Sequence, residues 1–303
     1  MTDALIQILV LLGLGVGWSI IKPAGLDIVV VRNALTNTVY YVFLPALVLN
    51  ILWHAQIDIT SVKISISAIS GILGSLVLAI LVCRLCNSQR AIAGAMILAA
   101  TFPNATYLGL PLLENTFGAW ARSIAIQFDM FACLPLVLTV GIVIANRYGN
   151  NPQPMHPVLS LLRVVPLWAA ALAVTLNLSK VKPIAWLDGL LEMMSHAVIP
   201  LMLFAAGLAL TRGLKEWRSL PTVIPVAVIQ LFIMPLIVWQ VGATTGISGE
   251  TLRALVIEGA LPSMALGIVL CDRFGLNTGV YAAAMTLTTV LSFFTLPLWY
   301  HWI

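Results

Sequence analysis

The feature that most constrains this chain is an apolar stretch without charges, residues 91–113, that carries a proline and polar side chains in its middle. The stretch is long enough to cross a bilayer, since a membrane-spanning helix needs about 20 apolar residues. Pro103 removes a backbone donor and disfavours helical geometry at the preceding residue. Membrane segments tolerate such a break only where protein or a water-filled cavity satisfies the freed backbone groups. We therefore predict that Pro103 and Asn104 lie in the gap of a discontinuous helix, with a simple proline kink as the alternative.

The rest of the chain is built from similar apolar runs. Counting stretches of about 20 residues gives ten predicted spans, at residues 4–21, 28–53, 64–83, 90–114, 121–145, 159–178, 187–211, 222–244, 252–273 and 279–303. Charged residues make up only 9% of the 303-residue chain, whereas soluble domains carry about 25%. The chain is therefore predicted to be an all-α polytopic membrane protein with ten transmembrane helices.

The two halves of the chain carry similar landmarks in the same order. Pro45 corresponds to Pro200, and Pro103 corresponds to Pro262 at a nearly equal offset. Prolines that interrupt corresponding spans of two halves are typical of secondary transporters with inverted repeats. We predict two inverted five-helix repeats in which helices four and nine are broken and cross, although chance similarity of proline-containing apolar runs is the alternative.

The predicted repeats also define two domains and an orientation. The first repeat covers residues 1–150 and the second covers residues 151–303. Lysine and arginine are more frequent in the loops that follow odd-numbered spans, and such loops are cytoplasmic by the positive-inside rule. We therefore expect a multi-pass membrane protein with both termini outside the cytoplasm.

Two carboxylates lie within predicted spans and away from the span ends. Asp129 is in the middle of span five, and Glu258 precedes Pro262 by one helical turn. Charge inside a membrane is costly and generally marks a functional site. Both residues are candidates for proton or sodium coupling, and a purely structural carboxylate with a paired neighbour is the alternative.

Neutral polar side chains gather at the two predicted breaks. Asn104, Thr106 and Ser263 lie at the breaks, and Gln127 and Asn50 lie in neighbouring spans. The amino-terminal ends of half-helices direct backbone amides and positive dipole ends at such a gap. The sequence therefore predicts a site for a small organic anion formed by these residues.

Other kinds of site are not indicated by the sequence. The cysteines and histidines show no spacing that is typical of a metal site. We find no catalytic signature and no basic patch interleaved with aromatic residues. We predict no catalytic residues, no metal or organic cofactor, and no nucleic-acid partner.

Short motifs along nearly the whole chain resemble those of a known family. They are LPAL at residues 44–47, FPNATYLGLPL at 102–112, FG at 117–118, IPLMLFAAG at 199–207, EGALP at 258–262 and LPL at 296–298. Together they resemble the auxin efflux carrier family, and the short linker between the halves is similar to that of its bacterial branch.

The resemblance implies a ten-helix fold related to that of bile acid:sodium symporters. Helices 1, 2, 6 and 7 would form a scaffold that dimerises, and helices 3–5 and 8–10 would form a transport domain that moves as an elevator. Asn104 and Gln127 match substrate-contacting positions of the family. Asn50 lies where plant carriers offer a hydroxyl, and Glu258 lies where sodium-coupled relatives have a cation-site carboxylate.

The predicted function is secondary transport of small organic anions such as malonate, malate or auxin-like acids. The expected partners are this substrate, membrane lipid and a second copy of the chain, with Na⁺ or H⁺ as the coupling ion. A sodium-coupled bile-acid-type symporter is the alternative within transport. An intramembrane enzyme or a membrane sensor is the alternative outside it.

Overall fold

The computed structural model describes residues 2–151, 162, 164–214, 216 and 219–303. Within these residues the regular secondary structure is helical, which confirms the predicted all-α class. The helices are α1 (Thr2–Ile21), α2 (Ile28–His54), α3 (Ile59–Leu85), α4 (Arg90–Thr101), α5 (Leu110–Phe117), α6 (Ala119–Tyr148), α7 (Val165–Leu178), α8 (Ala185–Leu214), α9 (Leu220–Thr244), α10 (Gly249–Gly259), α11 (Leu266–Phe274) and α12 (Thr278–Trp302).

Length and composition identify an integral membrane protein. In the described part of the chain, 6 helices are long and apolar enough to cross a bilayer, namely α2, α3, α6, α8, α9 and α12. Shorter apolar helices cover Leu5–Ile21, Arg90–Thr101 and Val165–Leu178. The predicted sixth span and the linker before it fall partly on residues 152–161 and 163, which lie outside the described residues. The inverted relation of the two halves stays a prediction.

Several prolines inside helical segments are preceded by a short π-helical turn. Pro45, Pro111, Pro135 and Pro235 each follow a short π-helical turn by two residues. The turns are Val39–Phe43, Ala105–Gly109, Asp129–Cys133 and Ile229–Ile233. A proline has no amide hydrogen, and its ring clashes with the carbonyl four residues back. A wider turn before the proline relieves this crowding, so the chain stays helical at membrane depth.

Helices α1 and α8 approach each other closely through glycine. A Cβ atom built on Gly207 would overlap the carbonyl oxygen of Leu12, and one built on Gly15 would overlap that of Phe204. Small residues at such crossings allow the dispersion contacts that hold membrane helices together. Glycine is therefore needed at this contact for packing rather than for backbone freedom.

The end of α2 is fixed by side chains from a distant part of the sequence. The side-chain nitrogen of Asn177 on α7 lies 3.1, 2.8 and 2.7 Å from the carbonyls of Leu52, Trp53 and Ala55, so its two hydrogens are shared among three acceptors. The indole nitrogen of Trp53 donates to the carbonyl of Val181 at 2.8 Å. The bonds from Asn177 satisfy carbonyls that have no donor inside α2 because the helix ends there, and the bond from Trp53 attaches the same helix end to the segment after α7.

Candidate functional site

Two broken helices meet in the interior of the protein. Helix α4 ends before Pro103 and α10 ends before Pro262, and the two intervening segments run antiparallel beside each other. The amide of Asn104 donates to the carbonyl of Pro262 at 2.8 Å, and the amide of Met264 donates to the carbonyl of Phe102 at 3.0 Å. Each broken segment thus satisfies backbone groups of the other, as a break at membrane depth requires.

Side chains approach two carbonyls that have no helical donor at the first break. In an unbroken helix the carbonyl of Ala99 would accept from the amide of residue 103, but proline has no amide hydrogen. The hydroxyl of Ser263 donates to this carbonyl instead, at 2.6 Å. The thiol of Cys133 approaches the carbonyl of Pro103 at 3.7 Å. Ser263 therefore connects the two broken helices through a side chain as well as through backbone pairing.

The second break is supported in a similar way. The side-chain amide of Gln230 on α9 donates to the carbonyl of Leu261 at 2.9 Å. The hydroxyl of Tyr281 on α12 donates to the carbonyl of Met264 at 2.7 Å. Both side chains are buried, so each bond replaces a helical bond in a place that water does not reach.

A cavity of about 110 Å³ lies beside the crossing. The first residues of both resumed helical segments line it, namely Asn104, Ala105, Thr106, Met264, Ala265 and Leu266. The opposite wall comes from α2 and α8, through residues such as Arg32, Tyr40 and Met202. The cavity therefore lies between the crossing and a separate pair of helices.

The backbone directs two positive dipole ends at this cavity. Helical structure begins at Ala105 after the first break and at Leu266 after the second. The first amides of any helix have no acceptor within that helix, and the dipole end there is positive. Two helix starts that line one cavity provide the kind of backbone environment that binds anions. The arrangement can therefore hold a carboxylate without a buried lysine.

The structure brings three of the predicted site residues to the cavity: Asn104, Thr106 and Asp129. The hydroxyl of Thr106 donates to Oδ2 of Asp129, and Oδ1 of Asp129 has no partner among the described residues. Gln127 and Ser263 are buried but do not line the cavity. The roles of these residues in binding stay predictions.

Glu258 is buried behind the crossing. Its side chain is 0% exposed, and neither carboxylate oxygen has a hydrogen-bond partner among the described residues. The carboxylate packs against Gly109, where a Cβ atom would overlap it, and it lies within electrostatic range of Asp129. Buried oxygens without donors suit a bound proton or a hard cation, because such cations prefer oxygen ligands.

Asn50 lies in a different place from the other predicted site residues. It lines a second cavity of about 660 Å³, together with His54, Gln56 and Trp120. Across this cavity, Nε2 of His54 lies 3.4 Å from a carboxylate oxygen of Asp188. Asn50 therefore does not share the cavity at the crossing in this conformation.

Comparison with known proteins gives the class of the chain. The model of the family described as membrane transport protein matches residues 155–300. An uncharacterized transporter of Methanothermobacter thermautotrophicus is 27% identical over 304 residues, which cover 98% of this chain and 97% of that protein. The chain is therefore similar to membrane transporters over nearly its whole length, and its second half matches this family. The match confirms the family resemblance that the sequence motifs carry.

Other relatives of this transporter come from bacteria and archaea. The uncharacterized transporter YfdV of Escherichia coli K12 is 26% identical over 215 residues, covering 69% of this chain and 68% of that protein. The uncharacterized transporter MJ1031 of Methanocaldococcus jannaschii is 23% identical over 210 residues, covering 68% and 67%. The family and the names of its members indicate transport, and transporters are generally not enzymes.

The sequence analysis missed several residues that line the cavity at the crossing. Arg32, Asn33, Thr36 and Tyr40 on α2 and Tyr107 after the first break are among them. Arg32 lies only a few residues inside a predicted span, so it was a recognisable signal. Its position near a span end hides its role, because the long side chain of an arginine can reach an adjacent cavity from there.

Proposed function

We propose that this transporter carries small organic anions, such as malonate, malate or another short carboxylate, across the bacterial inner membrane. The observation that carries the proposal is the convergence of two helix starts on one cavity. Arg32 on the facing helix adds a positive side chain to the same lining. Guanidinium groups and helix starts both favour carboxylates.

The size of the cavity supports a small substrate. Its volume is about 110 Å³, which is somewhat smaller than an engineered cavity of about 150 Å³ that admits benzene. A carboxylate of three or four carbon atoms fits this scale better than a steroid-sized amphipathic acid. The volume therefore favours a short organic anion over the substrate of a bile-acid-type symporter.

The position of the cavity supports alternating access of the elevator type. One wall belongs to α2 and α8, which correspond to predicted scaffold spans, and the other belongs to the crossing and α6. Movement of the crossing past these scaffold helices would carry a bound anion from one side of the membrane to the other. We include in the proposal a homodimer formed through scaffold helices and termini outside the cytoplasm.

The buried carboxylates support coupling of the anion to a cation or a proton. Asp129 lines the cavity, and Glu258 lies close enough to interact with it electrostatically. An anion entering beside two unneutralised carboxylates would meet repulsion in a low-dielectric interior. A proton or a sodium ion on this pair removes that repulsion, so binding of the anion and binding of the cation favour each other.

Thermal stability in detergent tests whether the anion binds at the crossing. A panel of malonate, malate, succinate, lactate, indole-3-acetate and taurocholate is added to the purified transporter, because a ligand that binds only the folded state raises its melting temperature. We expect one short carboxylate to stabilise the wild type and Asn50→Ala, and not Asn104→Ala. Stabilisation by taurocholate alone, or loss only in Asn50→Ala, would contradict the proposed site.

Transport into liposomes tests the coupling separately. The anion identified by thermal stability is supplied outside, with imposed sodium or proton gradients in turn. We expect one gradient to drive accumulation in the wild type and to have no effect in Glu258→Gln or Asp129→Asn. Uptake that is the same with and without either gradient would reject coupling but would leave anion transport intact. No uptake of any acid would reject the proposed function.

A further inference from the structure

Three arginines converge at one end of the helical bundle. Arg84 is near the end of α3, Arg90 begins α4 and Arg147 is near the end of α6. They line one open cavity of about 650 Å³, whose remaining lining residues are Asn146, Tyr148 and Gly149. No aspartate or glutamate is among these lining residues.

The three positive charges have no counter-ion in the described part of the chain. None of the ion pairs among the described residues involves Arg84, Arg90 or Arg147. The guanidinium of Arg90 donates to the main-chain carbonyl of Arg147, which holds the two arginines beside each other. Like charges held together without a counter-ion repel one another, so an anion that enters between them is favoured.

The cavity adjoins a surface of the kind that contacts lipid tails. Leu85 beside Arg84 is 73% exposed, and Val143 is 51% exposed one turn before Arg147. Exposed aliphatic side chains on membrane-spanning helices face acyl chains, and arginines at the helix ends lie at the level of the headgroups. The arginine cavity therefore lies where a phospholipid would place its phosphate.

We propose that Arg84, Arg90 and Arg147 bind the phosphate of an anionic membrane phospholipid. The planar guanidinium group matches the oxygens of a phosphate and can donate two parallel hydrogen bonds to it. A general bias of basic residues toward one membrane face would account for their side of the membrane. It would not require three arginines from separate helices to line one cavity without an acidic partner.

The proposal is tested with soluble, short-chain phospholipids. Binding of dioctanoylphosphatidylglycerol and dioctanoylphosphatidylcholine to the detergent-purified transporter is titrated by microscale thermophoresis, with glycerol 1-phosphate and inorganic phosphate as further arms. We expect the wild type to prefer phosphatidylglycerol. We expect the R84Q/R90Q/R147Q variant to bind it about 100-fold more weakly, because each basic side chain near an anionic headgroup contributes about 1 kcal/mol.

A matched variant controls for the loss of three positive charges. K180Q/K182Q/R253Q removes the same charge from the opposite end of the helices and should retain the wild-type affinity. If the triple arginine variant does not fold, R84Q and R147Q are measured singly, each with an expected loss of about 5-fold. Equal binding of the two lipids, an unchanged affinity in the arginine variants, or an equal loss in the control would overturn the proposal. Equally tight binding of inorganic phosphate would replace the lipid with a free anion.

Discussion

Replacing Ser263 by alanine isolates one bond between the two broken helices. Its hydroxyl donates to the carbonyl of Ala99 at 2.6 Å, which is the carbonyl that Pro103 leaves without a helical donor. It also accepts from Thr288 at 3.2 Å. Thr288 keeps the carbonyls of residues 284 and 285 as acceptors, at 2.8 and 3.1 Å. The substitution therefore leaves one buried carbonyl, that of Ala99, without this donor.

The cost of Ser263→Ala follows from that single group. A buried polar group that loses its partner costs about 1–3 kcal/mol. Ser263 is only 1% exposed, so water does not readily replace the hydroxyl. For a chain of this length the loss corresponds to a fall of about 2–5 °C in melting temperature. The removed volume is small, so the cavity that it leaves adds little to this cost.

Ser75 supplies a matched control for this prediction. It is 0% exposed on α3, and its hydroxyl has no hydrogen-bond partner among the described residues. Ser75→Ala removes the same atom from an equally buried site but leaves no acceptor without a donor. We expect this variant to be at least as stable as the wild type, because the buried hydroxyl loses its hydration on folding and makes no hydrogen bond that offsets this cost.

The measurement is the melting temperature of purified wild type, Ser263→Ala and Ser75→Ala in one detergent, followed by intrinsic tryptophan fluorescence. The expected order places Ser263→Ala clearly below the other two. An unchanged melting temperature in Ser263→Ala, or an equal loss in Ser75→Ala, would refute the argument that Ser263 replaces the donor missing at Pro103.

Two further predictions concern the packing of α1, α2, α7 and α8. Gly207→Ala places a methyl group against the carbonyl of Leu12 and should cost about 1–3 kcal/mol of stability. The control Gly189→Ala adds a methyl group that meets nothing within 4 Å, so it should be neutral or stabilising. Thermal melting of both variants distinguishes the effect of packing from that of helix propensity. Asn177→Ala removes the donor to three carbonyls at the end of α2 and should cost about 1–3 kcal/mol of stability. Hydrogen exchange should become faster only near residues 52–55. An unchanged melting temperature together with unchanged exchange would contradict this capping role.

The helices and their breaks could be predicted because their causes are local. Apolar runs of sufficient length predict spans, and the bounds of α2, α6 and α12 lie within a few residues of the predicted ones. Pro103 and Pro262 interrupt helices through the geometry of their own ring and missing hydrogen. Neither the length of a span nor the effect of a proline depends on residues far away in the chain, so both can be predicted from a single sequence.

The membership of the site could be predicted only in part. The pairing of Ser263 with Ala99 joins residues that are far apart in the chain, and no local pattern encodes it. Asn50 and Arg32 lie on the same long helix, yet they line different cavities because they are near its opposite ends. To predict which cavity each residue lines, one must know at which position along α2 the crossing packs, and that position is set by the tertiary structure.

Within the cavity at the crossing, a single hydrogen bond joins the start of the resumed helix to one of the two buried carboxylates. Thr106 is the second residue of the helical segment that resumes after the first break, and its hydroxyl donates to Asp129. When Asp129 carries a negative charge, this hydroxyl is held by a charge-assisted bond and is turned away from other acceptors. A proton or a cation on Asp129 weakens that bond and frees the hydroxyl for an anion at the helix start. In the proposed function, this wall of the cavity would respond directly to the charge of the carboxylate, which would give the coupling a physical path of one bond.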